Sequence, residues 1–441
     1  MQWYPDIESA QSADGVVRVA AQGGGWDVYS RSDAIPSGLF GEASGIELQR
    51  TPSSADFPRA SQIVQPGVAD SAWRINSALS GYGGVLLDGV FNISNIVVPS
   101  GGVLAGFGKK ISKLRQIYGS SGPAVSTSTN TSNQVSISGF TLDGNKAGQT
   151  LDNVGLHIDN SGSPAAHASA DTVYSLQDPR NDVRDLLIIN TKGVGLRQSG
   201  KGASDFSCIW VYGSGGRGIE VLGFDSTYTR IDVGNTGGDG IYLGPNCANN
   251  RFLGMKVWWT GGAGIYIDGS NTCEIVGCEV QAPALQAMVV KNANHLRASS
   301  INLRMPTRNN SQQNGLEIVD TTMSDFIGVG VTNYGGMGSL LNGVLLSKQI
   351  SGCVGVSIKA RVNYVSGVFF AMTGGQSIAG NDVCINSEYE YRETLDLGYT
   401  RSLRLGALEK FASDTAAAAS GIPIGGCYIN NASGSINVRL S

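Results

Sequence analysis

The feature that most constrains the fold of this chain is a repeat of about 23 residues between Gly195 and Phe370, a period within the range of solenoid proteins. Each unit is a small residue followed by a triplet whose first and third positions are apolar, except in the first unit, where Gln198 is third. The anchors Gly195, Gly218, Gly240 and Gly264 follow one another in steps of 23, 22 and 24 along the sequence. A fixed period indicates a solenoid, and alternation within each triplet indicates strands. We therefore predict a parallel β-helix, an all-β fold with one coil per repeat.

A second apolar series has the same period. Its members begin at Ile209, Ile231, Met255, Cys278 and Ile301, in steps of 22, 24, 23 and 23 along the sequence. Each coil is thus predicted to contain at least two strands joined by a turn, with a weaker third strand between residues 221 and 231. Alternate residues of these strands must point away from the core.

Composition excludes several classes of protein. Of 441 residues, 62 are glycine, which suits the many corners of a solenoid. The net charge is −4 and no long basic run exists, so nucleic-acid binding is not expected. Neutral and charged glycans both remain open as ligands. Seven cysteines without paired spacing predict neither a disulfide framework nor a zinc site, and we expect no metal or other cofactor.

The extent of the repeat divides the chain into three predicted regions. Residues 1–66 are predicted to form an irregular head, residues 67–390 the β-helix, and residues 391–441 an assembly segment. Residues 70–80 form an amphipathic pattern, with Asp70 as N-cap and Ala72, Ile75 and Leu79 on one face. This helix would cover the first coil, because an open solenoid end exposes apolar core. The alternating strand at residues 436–440 is expected to pair with another subunit.

Other segments carry further expectations. Residues 161–181, 307–314 and 332–339 exceed the repeat length and should project from the helix as loops. The first residues lack a basic region followed by an apolar run, and no uninterrupted apolar stretch is long enough to cross a bilayer. We therefore expect neither a signal peptide nor a membrane span, and synthesis in the cytoplasm.

Outward residues of successive coils should form columns, because adjacent coils lie about 4.8 Å apart. Aromatic rings there present flat apolar faces to pyranose rings, while charged groups bind hydroxyl and acidic groups. A glycan groove is one interpretation of these columns, and a subunit interface or a neutral surface are the others. The candidate glycan-binding residues are Arg197, Trp210, Arg217, Tyr242, Lys256, Trp258 and Tyr266.

Carboxylates close to this surface are candidates for catalysis. Glycoside hydrolysis needs two carboxyl groups, about 5–5.5 Å apart for retention or about 6.5–9.5 Å for inversion. Glu220, Asp232 and Asp239 are the candidates, although Asp239 also suits a structural turn. A lyase would instead use a base with Arg or Lys, for which Arg197, Arg217, Arg251 and Lys256 are available. His157 and His167 are interpreted as structural.

Two stretches resemble known families. The capping helix with residues 83–87, 89–93 and 104–108 resembles the N-terminal part of the pectate-lyase superfamily of right-handed β-helices. Asp88 and Phe91 replace the usual proline and tyrosine. Residues 411–440 are similar to a short module that closes many bacteriophage tail and virion proteins. The matching residues there are 413–414, 416–419, 421–426 and 438–440.

The resemblance implies that the solenoid is a right-handed, single-stranded parallel β-helix and that the chain is a bacteriophage tailspike-like protein. Such proteins are typically homotrimers of the virion that bind, and often depolymerise, host capsule or O-antigen polysaccharide during adsorption. It also implies attachment of residues 1–66 to another tail or baseplate protein. Because one fold hosts many chemistries, two alternatives remain. One is a non-enzymatic virion fibre that binds glycan, and the other is a bacterial polysaccharide lyase or epimerase.

Overall fold

The computed structural model describes residues 57–386, except for residues 129–133, 161–180, 201–203, 246, 305–312, 333–339, 364–367 and 374–376. Outside that range it describes the backbone of seven strands. The three predicted projecting loops fall almost wholly outside the described residues. The same holds for most of residues 1–66 and 391–441.

Three helices lie among the described residues, all before residue 150. They are α1 (Ala60–Ile63), α2 (Ala72–Tyr82) and a 3-10 helix (Lys146–Gly148). The strands before and within the first coils are β1 (Val16–Ala20), β2 (Trp26–Ala34), β3 (Glu47–Arg50), β4 (Gly84–Leu87), β5 (Val90–Ile93), β6 (Ile96–Val98), β7 (Val103–Gly106), β8 (Lys113–Gln116), β9 (Pro123–Thr127), β10 (Ser136–Ser138), β11 (Thr141–Asp143) and β12 (Val154–Asn160).

The later strands follow the repeat. They are β13 (Asn181–Arg184), β14 (Leu187–Ile189), β15 (Val194–Gly200), β16 (Ser204–Ser207), β17 (Trp210–Tyr212), β18 (Ile219–Gly223), β19 (Thr227–Thr229), β20 (Asp232–Gly234), β21 (Ile241–Leu243), β22 (Arg251–Leu253), β23 (Lys256–Trp258), β24 (Ile265–Asp268), β25 (Glu274–Val276), β26 (Glu279–Gln281), β27 (Met288–Lys291), β28 (Arg297–Ser299), β29 (Asn302–Arg304), β30 (Leu316–Val319), β31 (Asp325–Thr332), β32 (Asn342–Ser347), β33 (Ser357–Asn363), β34 (Val368–Thr373), β35 (Ser377–Asn386), β36 (Tyr399–Leu405), β37 (Lys410–Phe411), β38 (Cys427–Asn430) and β39 (Ile436–Val438).

Two long parallel sheets build the solenoid, so the predicted fold is confirmed. The sheet that we call sheet A has 11 strands, from β6 to β34, and takes one strand from each coil. The sheet that we call sheet B has 22 strands and takes two strands from most coils. The weak third strand expected between residues 221 and 231 is β19. One coil therefore runs β18, β19 and β20 before β21 begins the next.

Register between coils follows the sequence repeat. Ile219 pairs with Ile241, which pairs with Ile265, and all three are buried in the core. The first strands of sheet B stack Phe206, Tyr228 and Phe252, whose ring centroids are separated by 4.6 Å at each step. Parallel strands bury their inward side chains in this way because each coil covers the previous one.

Glycine recurs before the sheet A triplet because the coils approach closely there. A β-carbon added at Gly240 would lie 2.3 Å from Val257 Cγ1 and 2.6 Å from the Gly264 carbonyl oxygen. Gly218 and Gly264 meet the same two kinds of neighbour at 2.2–2.6 Å. The anchor position thus excludes larger side chains for a packing reason.

Sharp bends between strands use residues in the left-handed backbone region. Between the two strands of each coil in sheet B, Cys208, Arg230 and Ser300 have φ of 55–56°, and Gly254 and Gly277 occupy the same bend in other coils. Few non-glycine residues adopt this conformation. Its recurrence at one point of each coil shows that the backbone path is copied from coil to coil.

The N-terminal end of the solenoid carries the predicted helix, shifted by two residues. Helix α2 spans Ala72–Tyr82 and packs on β4 and β6. Ala72, Ile75 and Leu79 are buried as expected, together with Ala78. The N-cap position is Ser71, and Asp70 accepts hydrogen bonds from the backbone N–H of Ala72 and Ser94. Asp70 thus links the helix to the coil beneath it.

The terminal regions differ from expectation in two respects. Residues 1–66, which we predicted to be irregular, contain an antiparallel sheet of β1, β2 and β3. The strand at the C-terminus, which we expected to pair with another subunit, pairs antiparallel with β38 of the same chain. Strand β39 is therefore paired within its own chain. Strand β36 pairs in parallel with β35.

Asp320 anchors the turn at residues 349–352 through four backbone N–H donors. The donor–acceptor distances are 3.1 Å for Gln349, 2.9 Å for Ile350, 3.1 Å for Ser351 and 2.7 Å for Gly352. Burial acts to raise the pKa of Asp320, but these donors outweigh it and hold the pKa below its ordinary value. The ionised carboxylate therefore stabilises the folded state.

We expect Asp320→Asn to lower the free energy of unfolding at pH 7 by about 1–3 kcal/mol, because an amide cannot accept all four hydrogen bonds. A depressed folded-state pKa contributes stability above the unfolded value of about 3.9, and this contribution disappears as pH falls through the folded value. Urea unfolding at pH 7 and at pH 3 should show the difference shrinking in acid. Asp205→Asn, at an exposed strand position, is the control. An unchanged difference at both pH values would contradict the assigned role.

Candidate functional site

The outer face of sheet A carries the predicted column of side chains in register. His157 pairs with Arg197, Arg197 with Glu220, Glu220 with Tyr242, and Tyr242 with Tyr266. The column continues as Val289 and Glu317. These residues stand one coil apart because the strands that position them are hydrogen-bonded neighbours. Consecutive side chains are therefore close enough to contact one extended ligand.

Glu220 lies at the centre of this column and is covered by two arginines. Its Oε2 accepts a hydrogen bond from Arg197 Nε at 2.5 Å, and its Oε1 accepts one from Arg217 Nη1 at 2.5 Å. The Glu220 side chain is only 9% exposed, whereas those of Arg197 and Arg217 are 32% and 34% exposed. The two arginines thus form the outer surface, and Glu220 orients them from below.

Arg217 connects Glu220 to Asp239 and to the tyrosines. Its Nε lies 3.5 Å from Asp239 Oδ2, and its guanidinium carbon lies 3.4 Å from the centre of the Tyr242 ring. Asp239 Oδ1 accepts a hydrogen bond from the Ala263 backbone N–H. The Tyr242 and Tyr266 rings are stacked with centroids 5.8 Å apart. We call Arg197, Arg217, Glu220, Asp239, Tyr242 and Tyr266 the face A cluster.

The tyrosine hydroxyls of this cluster remain protonated at neutral pH. Burial raises the pKa of Tyr242, although Arg217 beside it acts in the opposite direction. Burial and the nearby carboxylate of Asp268 raise the pKa of Tyr266. Neutral, half-buried phenols can donate a hydrogen bond to a ligand while the ring offers an apolar face.

His157 extends the face A cluster at its N-terminal end. Its Nε2 lies 2.8 Å from Ser199 Oγ, which donates a hydrogen bond to Asp159 Oδ1 at 3.2 Å. Burial lowers the pKa of His157, so the imidazole is neutral at neutral pH. The serine stands between the histidine and the carboxylate. This order orients the imidazole and is not the order of a serine nucleophile activated by a histidine base.

Asp232 belongs to a second group, on the second strands of sheet B. Its Oδ1 accepts a hydrogen bond from Trp258 Nε1 at 2.7 Å. The Trp258 ring lies over Gly234, where an added β-carbon would be 2.4 Å from it, and its centroid is 5.6 Å from that of Tyr212. Burial, together with the charge and a hydrogen bond of Asp232, raises the pKa of Tyr212. The Trp258 ring can lie in this position because Gly234 has no side chain.

Two further predicted residues flank that group. Trp210 is 44% exposed, and Lys109 Nζ lies 4.2 Å from the centre of its ring. Lys256 pairs in register with Asp232 and is exposed. We call Trp210, Tyr212, Asp232, Lys256 and Trp258 the face B cluster.

The structure therefore divides the predicted residues between two surfaces. Glu220 and Asp239 share Arg217 on face A, whereas Asp232 lies on the other sheet, across the corner formed by residues 235–240. Sequence reasoning did not include Asp159, Ser199 or Tyr212, and it treated His157 only as structural. The motif that begins at Gly155 matches the one that begins at Gly195, so the sequence aligns His157 with Arg197 despite the extra length of residues 161–181 between them. The contact of His157 with Ser199 was not foreseen, because no local motif connects these two residues.

Two further observations on the described residues concern metal binding and membrane-spanning helices. Within the residues that the structure describes, no group of three or more His, Cys, Asp or Glu side chains is arranged to hold a metal ion. Across the same residues, no helix has the length and apolarity required to cross a membrane.

Comparison with known proteins identifies the fold. Residues 171–333 match the family described as "Right handed beta helix region". No curated protein is significantly similar to the chain in sequence. Many solved structures share its fold. One is the enzymatically active domain of tailspike protein 2 from bacteriophage CBA120, with 16% identity and a TM-score of 0.60 over 82% of this chain and 56% of that chain.

Other solved structures with this fold come from different sources. The A-module of the mannuronan C-5 epimerase AlgE4 from Azotobacter vinelandii has 12% identity and a TM-score of 0.58, over 79% of this chain and 100% of that module. The gp42 tailspike of Acinetobacter phage vb_AbaP_AS12 has 13% identity and a TM-score of 0.51, over 93% of this chain and 78% of that one. The chain spans about half the length of the CBA120 tailspike structures. It is a right-handed parallel β-helix, tailspike-like in fold.

Proposed function

We propose that this chain is a phage tailspike that binds host surface polysaccharide along face A and depolymerises it. The observation that carries the proposal is the in-register column from His157 through Arg197, Glu220 and Tyr242 to Tyr266. A repeating ligand fits a repeating surface, because each coil offers one set of contacts. The similarity in fold to a tailspike domain described as enzymatically active supports the proposal.

The chemistry of face A suits a glycan. The stacked Tyr242 and Tyr266 rings provide an apolar surface about two coils long, and the exposed edges of Arg197 and Arg217 supply hydrogen-bond donors. Asp239 retains Oδ2 as an acceptor beside Arg217. Ligand sites combine apolar and aromatic walls with a few oriented polar groups in this way. On face B, Trp210, Lys256 and Trp258 offer a second contact surface for the same polymer.

We assign cleavage on face A to Glu220 and Asp239, which both contact Arg217. Both oxygens of Glu220 accept hydrogen bonds from arginines, which fixes this carboxylate just beneath the surface where positive charge would develop at the sugar. Asp239 is the less constrained of the two. Asp232 is kept as the candidate carboxylate of face B, held in place by Trp258.

Incubation with capsule or lipopolysaccharide and sizing of the products tests this assignment. We expect shortened chains, with cleavage lowered at least about 100-fold by Glu220→Ala or Asp239→Ala, as is common when a catalytic group is removed. The Asp232→Ala variant separates face B from face A. Glu274→Ala, which removes a partly exposed partner of Arg251, is the control. If all three carboxylate variants cleave normally, the hydrolytic assignment is wrong. Binding without any cleavage would favour the fibre or adhesin instead.

A second candidate, a polysaccharide lyase or epimerase, is favoured by one observation. Arg197 and Arg217, each about one-third exposed, lie beside Tyr242 and near the neutral His157, so cations and proton-transfer groups share one surface. The fold of the mannuronan epimerase module is also similar over its whole length. A lyase would give an unsaturated product that absorbs in the near ultraviolet, and an epimerase would change sugar stereochemistry without shortening the chain.

The assembly is also a proposal. We propose a homotrimer in the virion, with residues 1–66 attached to another tail or baseplate protein and residues 391–441 acting in assembly. The resemblance of residues 411–440 to a module of phage tail and virion proteins supports this arrangement, and the similarity in fold to tailspikes supports it further.

A further inference from the structure

A polar pocket lies on the early coils of sheet B, next to the face B cluster, because Asn190 at its edge donates its backbone N–H to the Tyr212 carbonyl at 3.0 Å. Its volume is about 590 Å³, and Arg115, Asp143, Asn145, Lys146, Ala147 and Asn190 line it. Arg115 is on β8, Asp143 on β11, and Asn190 directly follows β14, so three successive coils contribute. A pocket of this size can hold one or two sugar rings.

The walls of the pocket are fixed by backbone geometry. Asn145 and Asn190 both lie in the left-handed region, with φ of 51° and 53°. The Asn145 backbone N–H donates to Asp143 Oδ1 at 3.0 Å, and the Lys146 backbone N–H donates to the Asn190 carbonyl at 2.7 Å. These bonds hold the 3-10 helix against the next coil. The side chains that line the pocket therefore start from rigid positions, which lowers the entropic cost of binding.

The charge in the pocket is positive. Asp143 Oδ2 is 2.8 Å from Lys113, so its charge is neutralised locally. Within the described part of the chain, Arg115 donates only to the amide oxygen of Asn145, at 3.3 Å, and Lys146 Nζ only to the Gly213 carbonyl, at 3.5 Å. Among the described residues, no carboxylate forms an ion pair with Arg115 or Lys146. Both cations thus face the pocket beside neutral hydrogen-bond partners.

We propose that this pocket binds an anionic sugar residue, through a carboxylate or phosphate group held between Arg115 and Lys146. Guanidinium groups bind both oxyanions with paired hydrogen bonds, and a lysine adds a mobile point charge. The amides of Asn145 and Asn190 are placed to contact the sugar hydroxyls. None of the residues that line the pocket belongs to the face A or face B cluster, and binding requires no cleavage, so the site goes beyond the proposed function.

Isothermal titration calorimetry of the full chain at constant ionic strength tests the proposal. The probes are sodium glucuronate, inorganic phosphate and, as the neutral comparison, glucose. We expect millimolar binding of at least one anion and none of glucose. Binding of glucuronate alone identifies a carboxylate site, and binding of phosphate alone identifies a phosphate site. Arg115→Ala and Lys146→Ala should each weaken the anion about tenfold, the loss of one charge-assisted contact.

Matched variants keep the result interpretable. Lys146→Arg preserves the charge and should retain binding, while Arg184→Ala removes an exposed arginine on β13 that does not line the pocket. The thermal unfolding midpoint of each variant checks that it is folded. The proposal is overturned if neither anion binds, if Arg115→Ala combined with Lys146→Ala binds as tightly as the parent, or if Arg184→Ala weakens binding as much as the pocket variants do. None of these results depends on whether the chain cleaves polysaccharide.

Discussion

Replacing Gly240 with valine is expected to lower the free energy of unfolding by about 3 kcal/mol or more, because overpacking of a dense core costs about 1–3 kcal/mol and occasionally more. The new side chain would have to enter the space of Val257 Cγ1 and of the Gly264 carbonyl, 2.3 and 2.6 Å from the position of its β-carbon. One of the obstructing atoms is backbone, which cannot move without separating two coils. The cost should therefore lie at the upper end of that range.

Urea unfolding followed by circular dichroism measures this effect. Gly240→Ala is the milder variant if the valine protein does not accumulate in folded form, and it should lie between the valine variant and the parent. Gly81→Ala is the matched control, because a β-carbon there meets nothing within 4 Å and the residue lies in α2. That control should leave stability unchanged or raise it by about 0.5–1 kcal/mol. A normal unfolding midpoint for Gly240→Val would refute the close stacking of coils at this position.

The second large effect is expected when both arginines over Glu220 are removed. Glu220 is nearly buried, so Arg197→Ala combined with Arg217→Ala leaves a carboxylate without its charged partners. Loss of the partner of a buried charge costs about 3–5 kcal/mol. The reverse change, Glu220→Ala, should cost less, because both arginines are about one-third exposed and can regain water. The two changes thus differ in their cost to stability, because Glu220 is buried and the two arginines are partly exposed.

Rescue distinguishes this explanation from simple loss of packing. Adding Glu220→Gln to the double variant removes the unpaired charge and should restore most of the lost stability. Chemical unfolding of the double and triple variants at pH 7 gives the comparison. The restored triple variant should be folded yet bind polysaccharide at least about tenfold more weakly, because it lacks the two cationic donors. Equal instability of the double and triple variants would mean that Glu220 does not need the arginines.

The sequence was sufficient to predict the coil and its register, for a physical reason. Parallel strands that bond to the next coil must repeat at nearly equal steps, so Gly218, Gly240 and Gly264 mark the coil length directly. The third strand gave a weaker signal because β19 is short and Tyr228 is its only core residue. The amphipathic helix was found within two residues, since its buried face has the helical period.

The side-chain environment was less predictable. Alternation places Glu220 outside the sheet, but its burial arises because Arg197 and Arg217 extend over it from adjacent positions. Asp232 and Glu220 are close in sequence, yet a corner of the coil places them on different sheets. The pocket beside Arg115 was also unforeseen, since its lining comes from positions 115, 143–147 and 190, which no local motif connects.

The equal register of neighbouring coils has a consequence for how such proteins change in length. Removal of the segment from Gly240 through Ala263 would bring Gly264 to the place of Gly240, and Tyr266 to that of Tyr242. The inward side chains of the joined coils would contact nearly the same kinds of neighbour as before. The molecule would become shorter by one strand spacing, about 4.8 Å. Gain or loss of whole coils therefore offers evolution a way to adjust the reach of the protein in discrete steps while its interior chemistry is preserved.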